Sequence, residues 1–181
     1  MKVLPRTEFG NPILRAKAKK VPLKFLKTKK FQELKKQMIY TMRRAHGVGL
    51  AASQINSSLA IAVMEMRRTP TRPDIEPKGP IIIINPRIVK YSSKKVSGWE
   101  GCLSFRGVRG LVPRFESVTV EYYNEDGKKV VEKATGFWAR VFQHEIDHLN
   151  GTVYIDHVDD TKTIITLGEF KKRILSKKKK K

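Results

Sequence analysis

The sequence predicts an α+β fold: antiparallel or mixed β-sheets packed around a central helix that carries His144-Glu145-Ile146-Asp147-His148, with an amphipathic helix on the N-terminal side and a basic helix at the C-terminus. Three observations predict it. Apolar residues recur at helical spacing in separate stretches. Strand-like alternation occupies the middle of the chain. The two patterns do not alternate regularly, as they would in a parallel α/β sheet.

The first helix is expected over residues 28–46. Phe31, Leu34, Met38, Met42 and Ala45 share one face, while Lys35, Lys36 and Arg43 turn elsewhere. Thr28 suits its N-cap and Gly47 its stop. Residues 59–66 read as a strand. Residues 69–79 hold Pro70, Pro73 and Pro77 and read as a loop. Two strands, 80–84 and 88–91, are expected on either side of Asn85-Pro86. Residues 118–123 alternate well, and Asn124-Glu125-Asp126-Gly127 is a turn signal before a strand at 129–133, so a hairpin is expected there. Residues 136–149 read as a helix, with Thr135 as cap and Asn150-Gly151 as stop. A last helix is expected over 161–175, starting near Asp159 and Asp160 and ending in cations, an order that suits the helix dipole.

With 181 residues, the chain is long enough to bury the core of one domain, and no repeat or linker divides it. Its 40% hydrophobic content excludes a wholly disordered protein. No apolar run is long enough to span a bilayer, and no signal-peptide core follows Met1. Cys102 is the one cysteine, so no disulfide forms within the chain. The natural setting is then a reducing one, the cytoplasm or, for a processed form, an organelle matrix. The net charge of +21 is uneven: +10 over residues 1–36, +4 over 37–168 and +7 over 169–181. Polycationic ends suit a polyanion, nucleic acid first and an anionic membrane second; a solvated lysine tail is the plainer account.

The strongest chemical signal is His144-Glu145-x-x-His148. On a helix, residues i and i+4 lie one turn apart on the same face, so two imidazoles can grip one cation and Glu145 can reach a water beside it. A hydrolytic metal usually has three protein ligands. The metzincin pattern would place a third histidine where this chain has Tyr154, a poor ligand when neutral. His157, three residues on, is another donor. Cys102 is the better candidate. A thiolate is a strong soft ligand, and this one sits in Trp99-Glu100-Gly101-Cys102-Leu103-Ser104, where Gly101 permits close backbone approach.

Three segments together resemble peptide deformylase: Gly47-Val48-Gly49-Leu50-Ala51-Ala52-Ser53-Gln54, then Glu100-Gly101-Cys102-Leu103-Ser104, then Gln143-His144-Glu145-Ile146-Asp147-His148. Many family members continue the cysteine motif with an apolar residue, Pro and Gly; this chain has Phe105-Arg106-Gly107, a change on the substrate side. The resemblance implies a hydrolase that removes the N-formyl group from the initiator methionine of nascent polypeptides and releases formate. It implies one divalent metal ion, Fe²⁺ in many members and Zn²⁺ in others, on Cys102, His144 and His148. It makes Glu145 the general base, and Gln54 with the backbone N–H of Leu103 the donors to the oxyanion.

Gly49 and Gly101 are expected to flank an extended peptide bound as an added strand. Val48, Phe137 and Val141 are candidates for the methionine pocket, with simple core packing nearly as good an account. Glu100 is expected to orient a ligand from behind, and Asp147 shares that candidacy. Residues 1–168 form the expected catalytic domain and 169–181 a basic tail, through which contact with the ribosome or its RNA is expected. Two competing readings stay open: a metalloprotease using Tyr154 or His157, and a basic nucleic-acid-binding protein with a structural metal.

Overall fold

In the computed structural model, residues 1–68 and 75–176 are described. Two antiparallel sheets and two main helices account for most of the regular structure. Helix α1 (Lys29–Arg44) is capped by Thr28, whose hydroxyl accepts from Phe31 N. Strand β1 (Gly49–Ala51) leads to β2 (Ile61–Met66), the long β3 (Lys78–Tyr91), β4 (Lys95–Cys102), β5 (Phe105–Phe115), β6 (Ser117–Tyr123) and β7 (Lys129–Thr135). Helix α2 (Gly136–Leu149) follows, then a two-residue strand β8 (Ile165–Thr166) and a short helix α3 (Leu167–Phe170).

The larger sheet has the order β1-β2-β3-β6-β7, and the smaller β4-β5-β8. Strand β2 is buried on both faces, and its side chains alternate between two cores. Ala62 and Met64 join Ile83, Val118, Val120, Trp138, Phe142 and Ile146 beneath α2. Ile61 and Val63 join Phe31, Met38, Met42, Leu50, Ile82 and Ile84 beneath α1. The two helices therefore cover opposite faces of one sheet. The β4–β5 hairpin meets α2 from another side. There Gln143 Nε2 donates to Phe115 O at 2.9 Å, and Phe115 N donates to Gln143 Oε1 at 3.0 Å. Helix α2 carries His144, Glu145 and His148.

Several boundaries differ from expectation. Helix α1 stops earlier: His46, at φ +55°, takes the left-handed position expected of Gly47. His46 N donates to Arg43 O and Gly47 N to Met42 O, which closes the helix end. The two strands expected around Asn85-Pro86 are one strand, β3, and the pairing register shifts between Ile84 and Arg87 to absorb the proline. The Asn85 carboxamide holds this bulge by bonding both Val21 N (2.8 Å) and Val21 O (2.9 Å). Of the loop expected at 69–79, residues 69–74 lie outside the described residues, and Lys78 and Gly79 already belong to β3.

The C-terminal helix expected over 161–175 is not continuous. Asp160 caps only a 3-10 turn at Thr161–Thr163, and Ile165 and Thr166 then pair with Arg109 and Val108 of β5. Thr166 caps α3, and a π-helical turn (Lys171–Leu175) follows. Phe170 packs edge-on against Trp99, with centroids 5.5 Å apart, so the segment is laid against the β4–β5 hairpin. Residues 177–181 lie outside the described residues.

Candidate metal centre

Helix α2 presents His144, Glu145 and His148 toward the end of β4. Thr135 stands at its N-cap without a side-chain bond, and Asn150 and Gly151 (φ +79°) end it. Cys102 closes β4, just before the turn into β5. The ligand atoms of Cys102, His144 and His148 all lie within 4.8 Å of one another, and Cys102 Sγ is 3.2 Å from His148 Nε2. With metal–ligand bonds of about 2.0–2.3 Å, donors around one tetrahedral ion sit roughly 3–4 Å apart. The sulfur and the two imidazoles thus fit a single cation.

The sulfur is prepared for that role. Burial disfavours its ionisation, but His148 and His144 outweigh burial and hold the thiol well below its ordinary range. Gln54 Nε2 and Ser104 N also point at it, at 3.2 and 3.4 Å. The Gln54 carboxamide is oriented by Ala51 N, which donates to Oε1 at 2.9 Å; that leaves its NH₂ facing Cys102 and Ser104 Oγ.

Glu100 lies behind His144 and accepts from its Nδ1 at 2.8 Å, turning Nε2 toward the sulfur side. Glu100 itself is gripped by Arg114, at 2.9 and 3.1 Å, and by Arg140 at 2.8 Å. Burial raises its pKa, but His144 and Arg114 more than reverse that and hold Glu100 as a carboxylate. Burial likewise opposes a charged His144, yet Cys102 and Glu100 hold its pKa well above the ordinary imidazole value. Arg114 reaches on to Asp147, and Asp147 Oδ2 is 3.0 Å from His157 Nε2. A chain of polar contacts therefore runs from His144 through Glu100, Arg114 and Asp147 to His157, in the segment after α2.

Glu145 differs from Glu100 in having no cationic clamp. It is 3% exposed, its Oε2 has no partner, and burial lifts its pKa to about 7. Its carboxylate lies against Gly49, where a built Cβ would overlap Oε1 and stand 2.8 Å from Cγ. Gly47 is similarly crowded by Leu103, whose Cδ1 would be 2.8 Å from a Cβ there. At Gly49 the first motif thus brings bare backbone up to α2, while the Ser53 hydroxyl reaches His148 O on the same helix.

Other expected site residues fall as follows. Val48, Phe137 and Val141 all adjoin the core beneath α2, Val141 buried within it and the other two partly exposed. Gly101 lies under the Arg109 guanidinium, with Nε 2.7 Å from a built Cβ. Of the two alternative ligands, His157 does not join the group. Tyr154 stacks its ring on His144, with centroids 6.2 Å apart, and His157 faces Asp147. Arg114, Arg140 and Arg109 were not singled out in the sequence; Arg114 follows Pro113 with no spacing signal, and only the fold shows what it holds.

Fold and site together define the class of a metal-dependent hydrolase. Comparison with known proteins narrows it: residues 3–163 match the polypeptide deformylase family. Peptide deformylase 2 of Nostoc sp. is 40% identical over 172 residues, 95% of each chain. Peptide deformylase of Halothermothrix orenii is 45% identical over 158 residues, 87% of this chain and 95% of the other. A Met-Ala-Ser-bound class I type b peptide deformylase from Acinetobacter baumannii superposes with a TM-score of 0.84 at 36% identity, covering 87% of this chain and 99% of that one. The chain belongs to the peptide deformylase family, metal-dependent enzymes that deformylate nascent chains.

Proposed function

We propose that this chain removes the N-formyl group from the N-terminal formyl-methionine of nascent polypeptides and releases formate. The observation that carries the reading is the placement of Glu145, buried and unclamped, beside the convergent donors of Cys102, His144 and His148. These three residues would hold Fe²⁺, or alternatively Zn²⁺, both of which accept such a donor set. When bound, the ion would supply Lewis acidity, the means to lower the pKa of a water and to polarise a carbonyl.

The remaining steps belong to the protein. Glu145 takes the water proton on its carboxylate and delivers it to the leaving amine, a role suited by a pKa near 7. Gln54 Nε2 and the Leu103 backbone N–H donate to the formyl oxygen as negative charge develops there. Gly49 and Gly101 border an extended peptide, which is recognised through its backbone and so with little regard to sequence. Val48, Phe137 and Val141 receive the methionine side chain. Glu100 keeps His144 in the ligating orientation. The A. baumannii relative is bound to Met-Ala-Ser, a peptide with the same N-terminal residue as the proposed product.

We further propose that residues 1–168 form the catalytic unit and that the basic tail, 169–181, contacts the ribosome or its RNA where nascent chains emerge. No helix among the described residues is long and apolar enough to cross a membrane. A bacterial cytoplasm or an organelle matrix, after processing, would supply formylated chains. One relative is the chloroplastic peptide deformylase 1A of Solanum lycopersicum, 37% identical over 81% of this chain and 56% of its own length. The test is formate release from formyl-Met-Ala-Ser by anaerobically purified enzyme with its metal content measured. Formate release with no cleavage of internal peptide bonds supports the reading; internal cleavage of an unblocked protein would favour the metalloprotease.

A further inference from the structure

A groove of about 640 Å³ lies at the C-terminal end of α2, lined in part by Lys17, Lys20, Arg87, Lys129, Tyr123 and Leu149, and containing none of the residues assigned above to the reaction. Its charge is one-sided. Among the described residues Glu121 is the one acid lining it, and that carboxylate is taken by Arg87 at 2.6 Å and by Lys129 at 3.2 Å. Lys17 and Lys20 are exposed and have no acidic partner among the described residues. The helix end adds little opposing charge, because Leu149 O already accepts from Ala18 N at 2.8 Å. The rest of the lining is partly apolar and aromatic, with Val21, Pro22, Pro86 and the partly buried Tyr123.

We propose that this groove binds a segment of single-stranded RNA, with phosphates on the lysine and arginine rim and a base against Tyr123. Cations beside an aromatic side chain are the pairing that single-stranded nucleic acid requires. A membrane is disfavoured, since a flat bilayer meets the rim of a concavity and cannot enter it. None of the described tail residues, 169–176, lines this groove, and the proposal does not depend on the proposed reaction.

The experiment titrates the full chain into fluorescein-labelled single-stranded RNA of mixed sequence and follows anisotropy across a salt series. Lys17→Gln/Lys20→Gln should weaken binding and make the log–log salt slope shallower by about 1.4, at about 0.7 for each lost phosphate contact. Tyr123→Leu should weaken binding without changing that slope. Circular dichroism and turnover of a short formyl-peptide should be unchanged in the lysine variant, which shows that the fold and reaction site are intact. An RNA affinity and salt slope equal to the parent's in the lysine variant overturn the proposal. So does a loss confined to phosphatidylserine vesicles with RNA binding intact.

Discussion

Gly49 and Glu145 occupy one another's space: the carboxylate of the helix residue fills the volume that any side chain at 49 would need. The strand edge and the proposed base are therefore fitted together, and the glycine is required for the position of the carboxylate. Gly49→Ala is expected to push Glu145 aside by at least a few tenths of an ångström. Misplacement of a catalytic group by about 1 Å typically costs about 100-fold in rate, so a fall of about 10- to 100-fold in kcat is expected, with metal content unchanged. Metal analysis beside steady-state kinetics checks this, and a variant with parental kcat would show that the carboxylate position is unimportant.

The Glu100–Arg114 pair predicts a coupled loss of stability and metal. Both side chains are 5% exposed, and Glu100 also holds His144 Nδ1. Arg114→Met leaves a buried carboxylate with less compensation, which costs about 3–5 kcal/mol where such a pair is broken; Arg140 remains to offset part of it. Metal affinity should fall about 10- to 100-fold because the ligand's hydrogen-bond partner is loosened. Denaturant melts and competition with a chelator report the two effects separately. A destabilised variant with parental affinity would confine Arg114 to packing.

How far these features could be read from the sequence depends on the range of the interactions that create them. Helix α2 and the β6–β7 hairpin are set by local patterns, a four-residue histidine spacing and a four-residue turn, and both form where expected. The candidate metal donors lie on the same helix and on the one cysteine. The β4–β5 hairpin has no such signature: Gly98, Gly101, Gly107, Gly110 and Pro113 interrupt its alternation, and its pairing to α2 runs through Arg140 and Gln143. Arg114 and Asp147 are 33 residues apart, so their contact belongs to the fold alone. The C-terminal segment is misread for the opposite reason. Its acidic start gives a helix signal, but Asp160 spends its cap on a single turn before β8 pairs with β5.

Acid stability should depend on Glu65, which is far less exposed than its partners Arg43 (2.7 Å) and Arg67 (3.1 Å). The Arg43 hydrogen bonds lower its pKa against the opposing effect of burial. A depressed carboxylate contributes stability in full above the unfolded value of about 4.3, and that contribution is lost as pH falls through the folded value. Glu65→Gln is therefore expected to cost about 1 kcal/mol at pH 7, a figure kept small because both arginines are substantially solvated. The difference should shrink toward zero in melts at a pH below the folded value. A penalty that persists unchanged at that pH would assign the effect to packing instead of charge.

Cys102 and His157 make opposite predictions about the third ligand. Cys102→Ser replaces a sulfur held as thiolate by a hydroxyl that stays protonated near neutral pH, so the ion should be lost on dialysis against a mild chelator. His157→Asn removes a ring that faces Asp147, not the donor group, and should keep one ion per chain and turnover within about twofold. The metalloprotease reading with His157 as ligand, rather than Tyr154, requires the reverse, because there His157 completes the coordination and the cysteine merely fills space. Metal content of the two variants, measured side by side after the same dialysis, decides between them. A Cys102→Ser chain that retains its ion while His157→Asn releases it would remove the sulfur from the centre and the proposed reaction with it.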